Sequence, residues 1–138
     1  MAEISFEYMN KFASQMQFIS ALLCGFSLTI LVLIFDKQNT DRFLVNIFRF
    51  SILASGAFLV SIFAMTDIFM MTTKGFPLAV EDKDLIFPNL VGGISFFIGI
   101  VSISIIIALL GWTKSKPLGV FSTVIGVVTL IMIITMMI

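Results

Sequence analysis

The sequence predicts an all-α, polytopic membrane protein with four transmembrane helices per chain, assembled as a homo-oligomer. Three observations lead there. Only 12% of the 138 residues are charged and 59% are hydrophobic, with a mean hydropathy of +1.17; a soluble domain carries about twice that share of charge. Four long apolar runs occupy most of the chain. None of them shows the alternation that a barrel strand needs, and in lipid every backbone amide must be bonded within its own segment, so the runs are read as helices.

The first run covers residues 18–35 and holds no charge. The second, about 50–71, is interrupted only by Asp67. The third, about 90–112, and the fourth, 118–138, are free of charge. Each is long enough, at 1.5 Å per residue, for a hydrocarbon core of about 30 Å. The first run is read as a permanent helix and not as a cleaved signal, because Asp36, Lys37 and Gln38 follow it where small residues would mark cleavage. Residues 1–17 form an N-terminal arm without Gly or Pro, which continues the first helix or lies on the membrane surface. With so few residues left over, 1–138 reads as a single membrane domain. The terminal carboxylate is expected to mark the membrane surface at the end of the fourth helix.

The connections differ. Residues 36–49 are polar, with 43–48 a candidate helical stretch. Residues 72–89 hold Gly75, Pro77, Pro88 and the acidic cluster Glu81, Asp82 and Asp84, read as a solvated loop that lacks the regular oxygen spacing of a calcium site. Residues 113–117 are a short turn ending in Pro117, which suits a helix first turn and makes a tight hairpin of the third and fourth helices. Trp112 fits an interfacial aromatic, and Lys37, Arg42, Arg49, Lys114 and Lys116 fit headgroup anchors. Those five cations against Lys11, Lys74 and Lys83 on the other side place the termini outside the cytoplasm by the positive-inside rule.

Chemistry is largely excluded. Histidine is absent and Cys24, the single cysteine, lies in an apolar run as a small buried hydrophobe. No metal site, cofactor or catalytic residue is expected, and the chain is not read as an enzyme. Zero net charge gives no reason to expect a nucleic-acid partner. Asp67 is the one ionisable side chain within a run, a candidate for proton or cation coupling. Thr66, Thr72 and Lys74 stand near enough in sequence to satisfy it instead. Small residues recur at i, i+4 in every run: Ala21 and Gly25, Ala57 and Ser61, Ser95 and Gly99, Ser122 and Gly126. Such pairs let helices approach, and they predict a compact bundle and association between copies.

Two stretches carry a family resemblance. Ser20-Ala21-Leu22-Leu23-Cys24-Gly25-Phe26-Ser27 resembles the SALLxGFA stretch in the pore-lining first helix of the Orai calcium-release-activated calcium channels. Leu109-Leu110-Gly111-Trp112-Thr113-Lys114-Ser115-Lys116-Pro117-Leu118 is similar to the LLxWxKxxPL ending of their third helix. The second and fourth helices match only in being apolar. The resemblance implies a ring of copies around a central pore lined by Phe18, Leu22, Gly25, Phe26, Thr29 and Leu33, with termini in the cytoplasm, against the charge count. Leu33 stands where that family has its selectivity glutamate, and Asn10, Ser14 and Phe18 replace its basic inner positions. Asp36, one turn beyond Leu33, offers a carboxylate ring at the pore mouth instead.

Three functions follow as expectations. The first is an oligomeric channel of the cell membrane with a gated, largely hydrophobic pore for small cations, plugged by Phe26. The second is a small proton-coupled transporter that uses Asp67. The third is a non-conducting membrane anchor or regulatory subunit. The partners common to all are the lipid bilayer and further copies of the chain.

Overall fold

The computed structural model describes residues 6–35 and 41–138. They form four helices: α1 (Phe6–Phe35), α2 (Arg42–Met71), α3 (Asp82–Trp112) and α4 (Lys116–Met137). All four are long and apolar enough to cross a membrane, which makes the architecture that of a multi-pass membrane protein. Three of them begin two turns or more before the runs that predicted them. The arm continues straight into the first span, so α1 has 30 residues, and α2 also has 30 because the 43–48 stretch is helical from Arg42 onward.

The acidic cluster is not a loop. It opens α3, with Glu81 as the N-cap and Asp82 and Asp84 in the first turn. The Glu81 N–H donates to the Asp84 carboxylate at 3.0 Å, and the carboxylates meet the positive end of the helix dipole, where they stabilise the start. Pro88 therefore lies inside α3 rather than in the connection. Its ring removes one backbone donor near the helix start, a loss confined to one turn. At the other end, α3 turns into α4 within three residues; Ser115 caps α4 by accepting from the Leu118 N–H, and Pro117 sits in the first turn as predicted.

Substantial packing joins only chain neighbours: α1 on α2, α2 on α3, and α3 on α4. The predicted bundle is thus a row of helices with α1 and α4 at its edges. Each seam uses different chemistry. Between α1 and α2 the contact residues Asn10, Ala13, Gln17, Ser20, Cys24 and Ser27 alternate by three and four, the repeat that keeps one face on a partner along a left-handed crossing. Between α2 and α3 the fully buried Phe58 packs edge-on against Phe96 and lies over Gly99, where a Cβ would meet its ring at 2.7 Å. Between α3 and α4, Gly119 lies against the Trp112 ring, and a Cβ on Gly126 would come within 2.9 Å of the Ser104 carbonyl. The Ser122 hydroxyl donates to the Ala108 carbonyl at 2.8 Å, and Trp112 Nε1 donates to Thr123 Oγ1 at 2.9 Å.

The helices are not equal in reach. α4 has 22 residues and α3 has 31, so α3 outreaches it by about 13 Å at 1.5 Å per residue. Around that excess a second small core forms from Ala13, Met65, Ile68 and Leu85, joined by Met9, Met16, Phe69, Met71 and Val80. The start of α1, the end of α2 and the start of α3 build it. On the side of the second connection the row thus ends in a three-helix head that α4 does not join.

Candidate functional site

The residues singled out along the first helix fall on one side of α1. Phe18, Leu22, Phe26 and Leu33 are 50–65% exposed, and Gly25 and Thr29 are exposed with them. At 100° per residue this stripe lies across the helix from Ser20, Cys24 and Ser27. A Cβ on Gly25 would meet no atom of another helix within 4 Å. The Thr29 hydroxyl donates to the Gly25 carbonyl at 2.8 Å, bonding back onto its own helix.

The opposite side explains why α1 takes this rotation. Asn10 Nδ2 donates to the Phe69 carbonyl and Thr72 Oγ1, both at 3.1 Å, and to Thr73 Oγ1 at 3.2 Å. About two turns further, Gln17 donates to Thr66 Oγ1 at 2.9 Å. The hydroxyls of Ser20 and Ser61 share a hydrogen bond at 3.2 Å, and those of Ser27 and Ser55 another at 2.9 Å. The Cys24 thiol, 5% exposed, points at the Ser55 carbonyl 3.7 Å away, which fits its reading as a small buried side chain. Among the described residues, no buried side-chain nitrogen or oxygen is left without a partner. A polar group buried without one costs several kcal/mol in an apolar medium, so these bonds hold the seam in a single register.

Several expectations are corrected by this geometry. Asn10 does not share the stripe of Ser14 and Phe18: it is half-buried and turned to α2, because steps of four residues drift about 40° around a helix each time. Ala21 and Gly25 lie exposed and take no part in packing within the protomer. Ser122 and Gly126 do mediate packing, and Ser61 and Gly99 do so singly. The seam residues Gln17, Ser20 and Ser27 escaped the reading of small-residue pairs; their alternation by three and four is the signal that would have found them.

Asp67 lies exposed on the outer face of α2, one turn before its end at Met71. The hydroxyls expected to satisfy it are engaged elsewhere: Thr66 donates to the Ile62 carbonyl and accepts from Gln17, and Thr72 donates to the Ile68 carbonyl. Lys74 makes no ion pair with it. Beside Thr66, Asp67 stands at the level where the charge-free part of the row meets the three-helix head. Asp36 lies outside the described residues. Among the described residues no three His, Cys, Asp or Glu side chains converge on a metal position. Comparison of the chain with protein-family models, with curated proteins and with solved structures finds no match.

Proposed function

We propose that the chain is the protomer of a homo-oligomeric, channel-like protein of the cell membrane. Copies of α1 turn Phe18, Leu22, Gly25, Phe26, Thr29 and Leu33 toward a shared path for small cations. The observation that carries this reading is the asymmetry of α1. One side is bonded to α2 from Asn10 to Ser27, and the other is bare at the edge of the row. A helix held that way presents its free side to whatever stands next to the protomer, and α2, α3 and α4 lie behind it. The Orai-like stretch falls on the same helix and supports the same use of it. Four of the six stripe side chains are large and apolar, so the path closes by excluding water and opens when the rings part. Phe26, the bulky side chain nearest mid-span, is the plug, and Thr29 one turn on is the polar step behind it.

Cation flux from liposomes that hold the purified protein tests this reading, with Phe26→Ala beside the wild type. The expected result is low flux from the wild type and higher flux from the variant. No flux from either, in protein shown to be folded and oligomeric, removes α1 as a pore helix. A second reading, proton-coupled transport, draws on Asp67, an exposed carboxylate with no partner among the described residues. It predicts pH-linked uptake that Asp67→Asn abolishes and Phe26→Ala leaves in place.

A further inference from the structure

The two ends of the row treat their charges differently. At the end of the first and third connections stand Arg42, Arg49, Lys114 and Lys116, all exposed. The stack of Phe43 on Trp112, ring centroids 6.0 Å apart and 15° from parallel, brings the start of α2 beside the α3–α4 turn, so these cations belong to one surface. None of the four side chains has an ion pair or hydrogen bond among the described residues, and Asp41 is the only described acid at that end. The opposite end carries Glu7, Asp67, Glu81, Asp82 and Asp84 with Lys11, Lys74 and Lys83. There Lys11 pairs with Glu7 at 3.5 Å and Lys83 with Glu81 at 3.4 Å.

The basic surface also has depth. Arg42 and Arg49 are seven residues apart on one outward face of α2, a step of about 10 Å along the axis. Arg42, Lys114 and Lys116 stand level with the Phe43–Trp112 stack, and Arg49 lies two turns below it along an apolar face shared with Val45 and Ile52. An arginine at that depth extends its guanidinium toward the surface and presents paired N–H donors to a phosphate. The three upper cations then face whatever negative charge the headgroup bears.

We propose that Arg42, Arg49, Lys114 and Lys116 form a binding surface for anionic phospholipid, built around the Phe43–Trp112 stack. A zwitterionic lipid offers the phosphate but cancels it with its own ammonium; an anionic lipid keeps a net charge for the upper cations. The surface is independent of the channel reading, since it lies on α2 and the α3–α4 turn and uses no residue of the α1 stripe.

Trp112 is the only tryptophan in the chain, so its fluorescence reports on this surface alone. The full chain is placed in phosphatidylcholine vesicles, and quenching of Trp112 by brominated phosphatidylglycerol is compared with quenching by brominated phosphatidylcholine. The expected result is a local association constant roughly threefold or more in favour of the anionic lipid. That preference falls toward unity when all four cations are changed to Gln, and stays when Lys11, Lys74 and Lys83 are changed to Gln together. Equal quenching by both lipids overturns the proposal. A preference that survives the fourfold change, or that is lost equally from the distant triple change, overturns it too. If the fourfold variant does not fold, single Arg49→Gln and a salt titration of the wild type replace it; insensitivity to both is then the overturning outcome.

Discussion

The α1–α2 seam and the α3–α4 seam both carry side-chain hydrogen bonds, but they differ in what brings the helices close. The first is a ladder of side-chain hydrogen bonds from Asn10 to Ser27, with the amides of Asn10 and Gln17 reaching across at one end and pairs of small serines meeting further along. The second closes by contact, with Gly119 under the Trp112 ring and Gly126 against the Ser104 carbonyl. A ladder distributes its energy over many weak bonds and fixes register. A glycine contact concentrates it at points that tolerate no added atom. Lipid tails are as apolar as leucine, so neither seam draws on the hydrophobic effect as a soluble core does. Between them, α2 and α3 meet through the largest buried side chain, Phe58, seated on a glycine.

Four changes break or sharpen that contrast, and equilibrium unfolding in mixed detergent micelles reads them all. Phe58→Ala empties the central seam and is expected to cost the most, about 3–5 kcal/mol. Gly126→Leu is expected to cost about 1–3 kcal/mol, because the atom in its way is backbone of α3 and cannot swing aside. On the ladder, Ser20→Ala and Ser61→Ala combined in a double-mutant cycle should show a coupling of only about 0.6 kcal/mol. Phe26→Ala is on the bare side of α1 and should leave stability within about 0.5 kcal/mol, while it raises flux if the proposed path exists. A large loss of stability from Phe26→Ala would mean that this side is packed in the assembled protein.

The spans were legible because lipid selects for long charge-free runs, and residues 18–35, 90–112 and 118–138 have that character without ambiguity. Their full lengths were not, since Arg42 and the acids at 81–84 look like loop to any reading by hydropathy. Only the capping geometry at Glu81 and Asp84 shows that the charges open a helix. The serine ladder was hidden for a related reason. Serine, cysteine and alanine in an apolar run weigh nearly the same, and what separates seam from surface is the phase at which they recur. Ala21 and Gly25 have the spacing of an interface but not the phase of the α1–α2 seam, and Ser20, Cys24 and Ser27 have that phase. Asp67 was visible at once, but its hydrogen-bonding neighbours were misassigned. The hydroxyls of Thr66 and Thr72 donate back to their own helix and meet α1, directions that proximity in sequence does not give.

The row arrangement bears on how the protein is made. Every substantial seam joins a helix to the one synthesised just before it, so no helix waits in the bilayer for a partner far down the chain. The hydrogen bonds of the α1–α2 seam need no residue beyond Thr73, so α2 and its cap suffice to cover Asn10, Gln17 and the serines. Each later helix docks onto a finished edge. Assembly in this order needs no rearrangement of earlier helices, and the edge that stays open throughout is the bare side of α1.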